Sequence, residues 1–93
     1  MFLYSIQNMF QTNKLTIKIY TTKTCGYCFL AKKLLERNNY TYKEIDVSGM
    51  EDIRQKMIKL SNGLKTVPQI FISDKHIGGF AELNKILLDG KLI

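Results

Sequence analysis

A chain of 93 residues fits a single domain, since domains cluster near about 100–150 residues. Apolar residues are 45% and charged residues 24%, an ordinary globular balance that excludes wholesale disorder. No apolar run approaches the roughly 20 residues that span a bilayer, and 2 cysteines are too few for a disulfide-stapled secreted scaffold. The net charge is +6, from 14 basic and 8 acidic side chains.

Residues 1–13, MFLYSIQNMFQTN, carry no charged side chain. They have neither the basic start nor the continuous apolar core of a secretory signal. Residues 1–14 therefore read as an N-terminal extension without an assigned role, ahead of a domain at 15–93. Leu15–Tyr20 alternates apolar and polar and predicts a first strand. Thr21–Thr24 is a polar loop leading into Cys25-Gly26-Tyr27-Cys28. Beyond it, Leu30, Ala31, Leu34 and Leu35 recur at helical spacing, with Lys32, Lys33, Glu36 and Arg37 on the other face and Asn38-Asn39 as the stop.

Tyr40–Val47, rich in β-branched and aromatic residues, predicts a second strand. Ser48-Gly49-Met50-Glu51 has the form of a capping box. It opens a helix with Ile53, Met57, Ile58 and Leu60 inward and Arg54, Lys56 and Lys59 outward, ending at Asn62-Gly63. Gln69–Ile72 is a short apolar strand after the single proline, Pro68. Ser73-Asp74-Lys75 is a turn, His76-Ile77 starts a partner strand, and Gly78-Gly79 breaks it. Leu83, Ile86 and Leu87 mark a last helix, closed near Asp89-Gly90. The order is β-α-β-α-β-β-α.

A C-x-x-C pair is open to several readings: half a zinc site, a short structural disulfide, two core thiols, or a redox dithiol. A tetrahedral zinc needs about four ligands, and His76 is the single histidine, so Cys and His of one chain cannot complete it. Closing so short a loop removes little chain entropy. A strand before the pair and a helix after it favour the redox dithiol.

In that context the sequence resembles the glutaredoxins, of the thioredoxin-like fold. The resemblance rests on KIYT at Lys18–Thr21, TCGYC at Thr24–Cys28, TVPQIFI at Thr66–Ile72 and HIGGFAEL at His76–Leu83, in that order. It implies an α/β fold, a four-stranded mixed sheet flanked by three helices, and thiol–disulfide exchange with glutathione as reductant and no tightly bound cofactor.

Cys25 lies at the predicted helix N-terminus, where free N–H groups favour a thiolate, and Lys23 adds a nearby cation. Cys25 is therefore expected to be the nucleophile. Cys28, one turn deeper, would resolve the mixed disulfide. Tyr27 would flank the exposed sulfur. The resemblance implies a cis bond at Pro68, leaving the Thr66-Val67 backbone free to pair with the extended peptide of glutathione, as a strand adds to an edge. It also implies that Gly79, Phe80, Ala81 and Glu82 receive the γ-glutamyl end, with Glu82 where the family usually has aspartate and Ala81 where Ser or Asp is common. Lys23 and Gln55 are the candidates for the glycyl carboxylate, although the family lysine lies one position earlier, at Thr22. His76 reads as a strand residue and not as a base.

Gly26 stands where the commonest dithiol motif has proline. Motifs lacking that proline are associated in the family with a [2Fe–2S] cluster held between two subunits by Cys25 of each chain and two glutathiones. The leading expectation is a glutathione-dependent oxidoreductase reducing protein disulfides and glutathione mixed disulfides. The alternative is a cluster-binding carrier or sensor dimer, and a third reading is a redoxin reduced directly by thioredoxin reductase. Basic residues on outer helix faces, without stacking aromatics, argue against nucleic acid. A monomer in a reducing cytoplasm, with no membrane association, is the expected setting.

Overall fold

The computed structural model describes residues 15–90, and the expected extension at 1–14 lies outside them. The chain runs β1 (Ile17–Thr21), α1 (Gly26–Arg37), β2 (Lys43–Asp46), α2 (Glu51–Leu60), β3 (Gln69–Ile72), β4 (Lys75–Gly78) and α3 (Phe80–Leu88). The four strands form one sheet in the order β2-β1-β3-β4. β1 pairs parallel with β2 and antiparallel with β3, and β3 pairs antiparallel with β4. This is the thioredoxin-like mixed sheet with three helices.

Strand side chains alternate between faces, and both faces of the central strands are covered. Ile17, Ile19, Ile70 and Ile72 meet Ala31, Leu35 and Leu83, so α1 and α3 cover one face. Tyr20, Val47 and Phe71 meet Met57 of α2 on the other. β3 is therefore buried at all of its positions, as a strand covered on both sides must be, while the edge strand β2 is largely exposed.

Several local expectations shift. β1 begins at Ile17 and β2 covers only Lys43–Asp46. Leu30 and Leu60, placed inward by spacing, are exposed, because α1 and α2 each bury a narrower stripe than the apolar pattern suggests. Lys32 is half-buried in an ion pair with Glu44, and Arg54 is half-buried with its Nη2 donating to the Lys65 carbonyl at 3.0 Å. The capping box at Ser48–Glu51 does not form. Gly49 turns the chain at φ +70°, so Met50 becomes the N-cap and Glu51 the first helical residue. Ser48 instead joins two loops: its Oγ accepts from the Lys23 N–H at 2.9 Å and its own N–H donates to Asp46 Oδ1 at 2.8 Å. The β3–β4 turn places Ser73 at φ +51° and Asp74 at φ +67°, the doubly left-handed geometry that suits a two-residue hairpin.

Glu44 ties β2 to its neighbours, accepting from Thr21 Oγ1 at 2.7 Å and from Lys32 Nζ at 2.9 Å. The Lys32 bond first, then the Thr21 bond, hold its carboxyl below the ordinary glutamate range. A carboxyl depressed in the folded chain stabilises it above the unfolded pKa, and the contribution is lost as pH falls through the folded value. Chemical denaturation between about pH 6 and pH 3 should therefore show a steeper loss of stability for the wild type than for Glu44→Gln. Leu35→Ala, which empties the α1–sheet core, should cost about 2–5 kcal/mol in the same measurement, against less than about 0.5 kcal/mol for the exposed Phe29→Ala.

Candidate active site

Cys25 closes the loop after β1 in extended conformation and is the N-cap of α1. Its Sγ accepts from the Cys28 N–H at 3.0 Å, the position a serine or aspartate oxygen takes at an ordinary helix start. Cys25 and Cys28 are joined as a disulfide. Cys28 is 1% exposed and sits beneath the first turn, whereas Cys25 is half-buried and reaches the surface. An incoming sulfur can reach only Cys25 directly.

The Val67–Pro68 peptide is cis, and the Val67 carbonyl oxygen lies 3.7 Å from Cys25 Sγ. Val67 also belongs to a groove of about 540 Å³ whose walls are Tyr27, Thr66, Val67, Pro68, Gly79, Phe80, Ala81, Glu82 and Asn84. One wall is the backbone that leads into β3, and the other is the first turn of α3, whose free N–H groups make it attractive to an anion. Tyr27 and Phe80 close one side, their ring centroids 5.7 Å apart.

Two glycines permit this approach. A Cβ on Gly79 would stand 3.3 Å from the Pro68 carbonyl oxygen, and one on Gly78 would stand 2.8 Å from Glu82 Cγ. Gly78 is also at φ +127°, a region that disfavours other residues. Glu82 turns back on its own helix, its Oε1 accepting from the Gly79 N–H at 2.8 Å. This is half of a capping box, the only half available where the N-cap is glycine.

Eight of the ten residues singled out around the cysteines thus lie together in the groove. Lys23 and Gln55 do not line it. The Lys23 ammonium is 3.5 Å from Asp46 Oδ2, and Gln55 Nε2 donates to Glu51 Oε2 at 2.7 Å on the surface of α2. Asn84 was missed. Its spacing of three from Ala81 places both on one helical face, and that was the available signal. His76 lies on the α2 face of the sheet, with its ring centroid 5.1 Å from that of Phe71. Among the described residues no three of His, Cys, Asp and Glu gather as a metal site. With Cys25 and Cys28 joined as a disulfide, Cys25 offers no thiolate to an iron–sulfur cluster.

A surface-reaching, helix-capping sulfur in disulfide exchange range of a buried partner, on a thioredoxin-like sheet, defines a thiol–disulfide oxidoreductase. The glutaredoxin family model matches residues 17–77. The chain is 46% identical over 78 residues to glutaredoxin 1 of Rickettsia prowazekii, covering 83% of this chain and 82% of that one. It is also 46% identical over 67 residues to glutaredoxin 3 of Escherichia coli K12, covering 72% and 80%. Among solved structures, the glutaredoxin of Brucella melitensis superposes with a TM-score of 0.73 at 40% identity, covering 83% of each chain. A buckwheat glutaredoxin–glutathione complex superposes with a TM-score of 0.75 at 32% identity, covering 95% of this chain and 83% of that one. The chain belongs to the glutaredoxin family.

Gly78→Ala tests the glycine requirement. The added methyl meets Glu82 and a backbone conformation it disfavours, so the variant should lose about 1–3 kcal/mol. A thermal unfolding midpoint unchanged from wild type would contradict the geometry.

Proposed function

We propose that the protein uses glutathione to reduce glutathione mixed disulfides and protein disulfides, with Cys25 as nucleophile and Cys28 as resolving thiol. The observation that carries this reading is the Val67 junction: one residue lies beside the Cys25 sulfur and also forms the wall of the groove. A tripeptide whose cysteine sulfur reached Cys25 could lay its backbone along Thr66 and Val67 and its γ-glutamyl carboxylate at the α3 N-terminus. The buckwheat relative solved with glutathione supports the same assignment for this chain.

In the reduced enzyme the Cys25 thiolate attacks the glutathione sulfur of a mixed disulfide. A Cys25–glutathione disulfide forms, and the substrate leaves as a thiolate that takes a proton from water. The thiolate of a second glutathione attacks the glutathione sulfur, releasing glutathione disulfide and restoring the Cys25 thiolate. On a protein disulfide, Cys25 bonds to one substrate sulfur and displaces the other. The Cys28 thiolate then attacks Cys25, releases the reduced protein and leaves the Cys25–Cys28 disulfide for two glutathiones to reduce. In each step the N–H groups at the start of α1 stabilise negative charge on Cys25.

Lys23 and Gln55 enter this proposal as peripheral contacts to the glycyl carboxylate, Lys23 after leaving Asp46. Residues 15–93 form the working domain, and the reducing cytoplasm is its setting. Among the described residues no helix is long and apolar enough to cross a membrane.

Turnover of a glutathione mixed disulfide, coupled to glutathione reductase and NADPH, is the test. Cys25→Ser should reduce the rate at least about a hundredfold. Cys28→Ser should keep most of this activity while losing reduction of protein disulfides. Wild-type turnover no faster than Cys25→Ser would overturn the glutathione reading, and equal loss of both activities in Cys28→Ser would overturn the division of roles.

A further inference from the structure

Gln69 is the first residue of β3 and is 2% exposed. A buried amide must find partners for both of its ends. Its Nε2 lies 3.0 Å from the Thr66 carbonyl oxygen and 3.2 Å from Thr66 Oγ1. A carbonyl can only accept, so the amide nitrogen faces Thr66 and the amide oxygen faces the other way. There Gln69 Oε1 lies 2.7 Å from His76 Nε2. An amide oxygen also only accepts, so His76 carries a proton on Nε2. Its Nδ1 lies 3.3 Å from Asn62 Nδ2, an amide donor at the end of α2. The donors and acceptors thus alternate along one chain, Asn62 to His76 to Gln69 to Thr66, and its last member is a wall of the groove.

Sheet register makes this chain available. Ile70 pairs with Gly78 and Phe71 with His76, so β4 carries one extra residue, Ile77, between them. The direct pairing with Phe71 puts His76 on the same face as Phe71 and Gln69, within reach of the Gln69 amide.

We propose that His76 is a positioning residue for the groove: by donating to Gln69 Oε1 it fixes the rotation of that amide, which in turn holds Thr66, and with it Val67, at the spacing from Cys25 that substrate binding uses. The ring also packs on Phe71, so the two roles must be separated. His76→Phe keeps an aromatic ring and removes the donor. His76→Gln removes the ring and places an amide nitrogen where Nε2 stood. The inference rests on the glutathione reading for its kinetic arm only.

With a glutathione mixed disulfide as the varied substrate, His76→Phe should raise KM about five- to tenfold, the scale of one or two lost hydrogen bonds, with kcat within about twofold of wild type. His76→Gln should return KM to within about twofold of wild type. A wild-type KM in His76→Phe, or an equal rise in His76→Gln, where the donor is restored without rescue, would overturn the inference. NMR order parameters of the Thr66 and Val67 amides supply the second arm, which needs no substrate. They should fall in His76→Phe and hold in His76→Gln. Order parameters unchanged in His76→Phe would overturn the inference even where the wild type proves inactive toward glutathione substrates, an outcome that by itself sinks only the glutathione reading.

Discussion

The structure turns on a sulfur used as a helix cap. Cys25 ends the loop after β1 in extended conformation, and its Sγ takes the N–H that the first turn of α1 would otherwise leave to solvent. One bond thereby starts the helix, aims the reactive atom at the surface and surrounds it with donors suited to negative charge. Cys28 is drawn under the same turn, so the difference in access between the two sulfurs follows directly from helix geometry. Ser48 and Asp46 brace the loop on its other side, through the Lys23 N–H and the Lys23 ammonium. The hydrogen bond from Ser48 holds Asp46 ionised below the ordinary aspartate range, and Lys23 adds to it.

The opposing wall is built by closeness of backbone rather than by side-chain chemistry. The segment Thr66–Pro68 is placed by β3, whose full burial leaves little freedom in where the strand begins. The turn into α3 comes within contact of the Pro68 carbonyl only because Gly79 lacks a side chain. The groove is then a seam between two chain segments anchored in the same sheet, with Tyr27 and Phe80 as its aromatic edge. A ligand recognised along main chain and at a helix terminus needs few charged contacts, which fits a groove whose one acidic side chain, Glu82, is already bonded to its own N-cap.

Much of this is legible in the sequence. Period-two runs, helical stripes and positive-φ stop residues such as Asn39 and Asn62 placed each element within a few residues. The failures share a cause. Ser48–Glu51 has capping-box spacing, but Gly49 diverts the chain and a tertiary bond from the Lys23 N–H claims the Ser48 hydroxyl. Leu30 and Leu60 fit apolar stripes, but how wide a stripe is buried depends on what packs against it. Asn84 shares a helical face with Ala81 three residues earlier, but that spacing alone does not say whether the face meets a groove or water.

The sequence by itself determined the element order, the pairing of Cys25 with Cys28 across one helical turn, and the family, because these depend on short-range spacing and on motifs read in line. Only the tertiary structure decided which residues share the groove, that Lys23 and Gln55 stand outside it, and that a buried glutamine joins His76 to Thr66. Those relations connect positions far apart in the chain. They are set by strand register and by how the helices pack on the sheet, which no local pattern encodes.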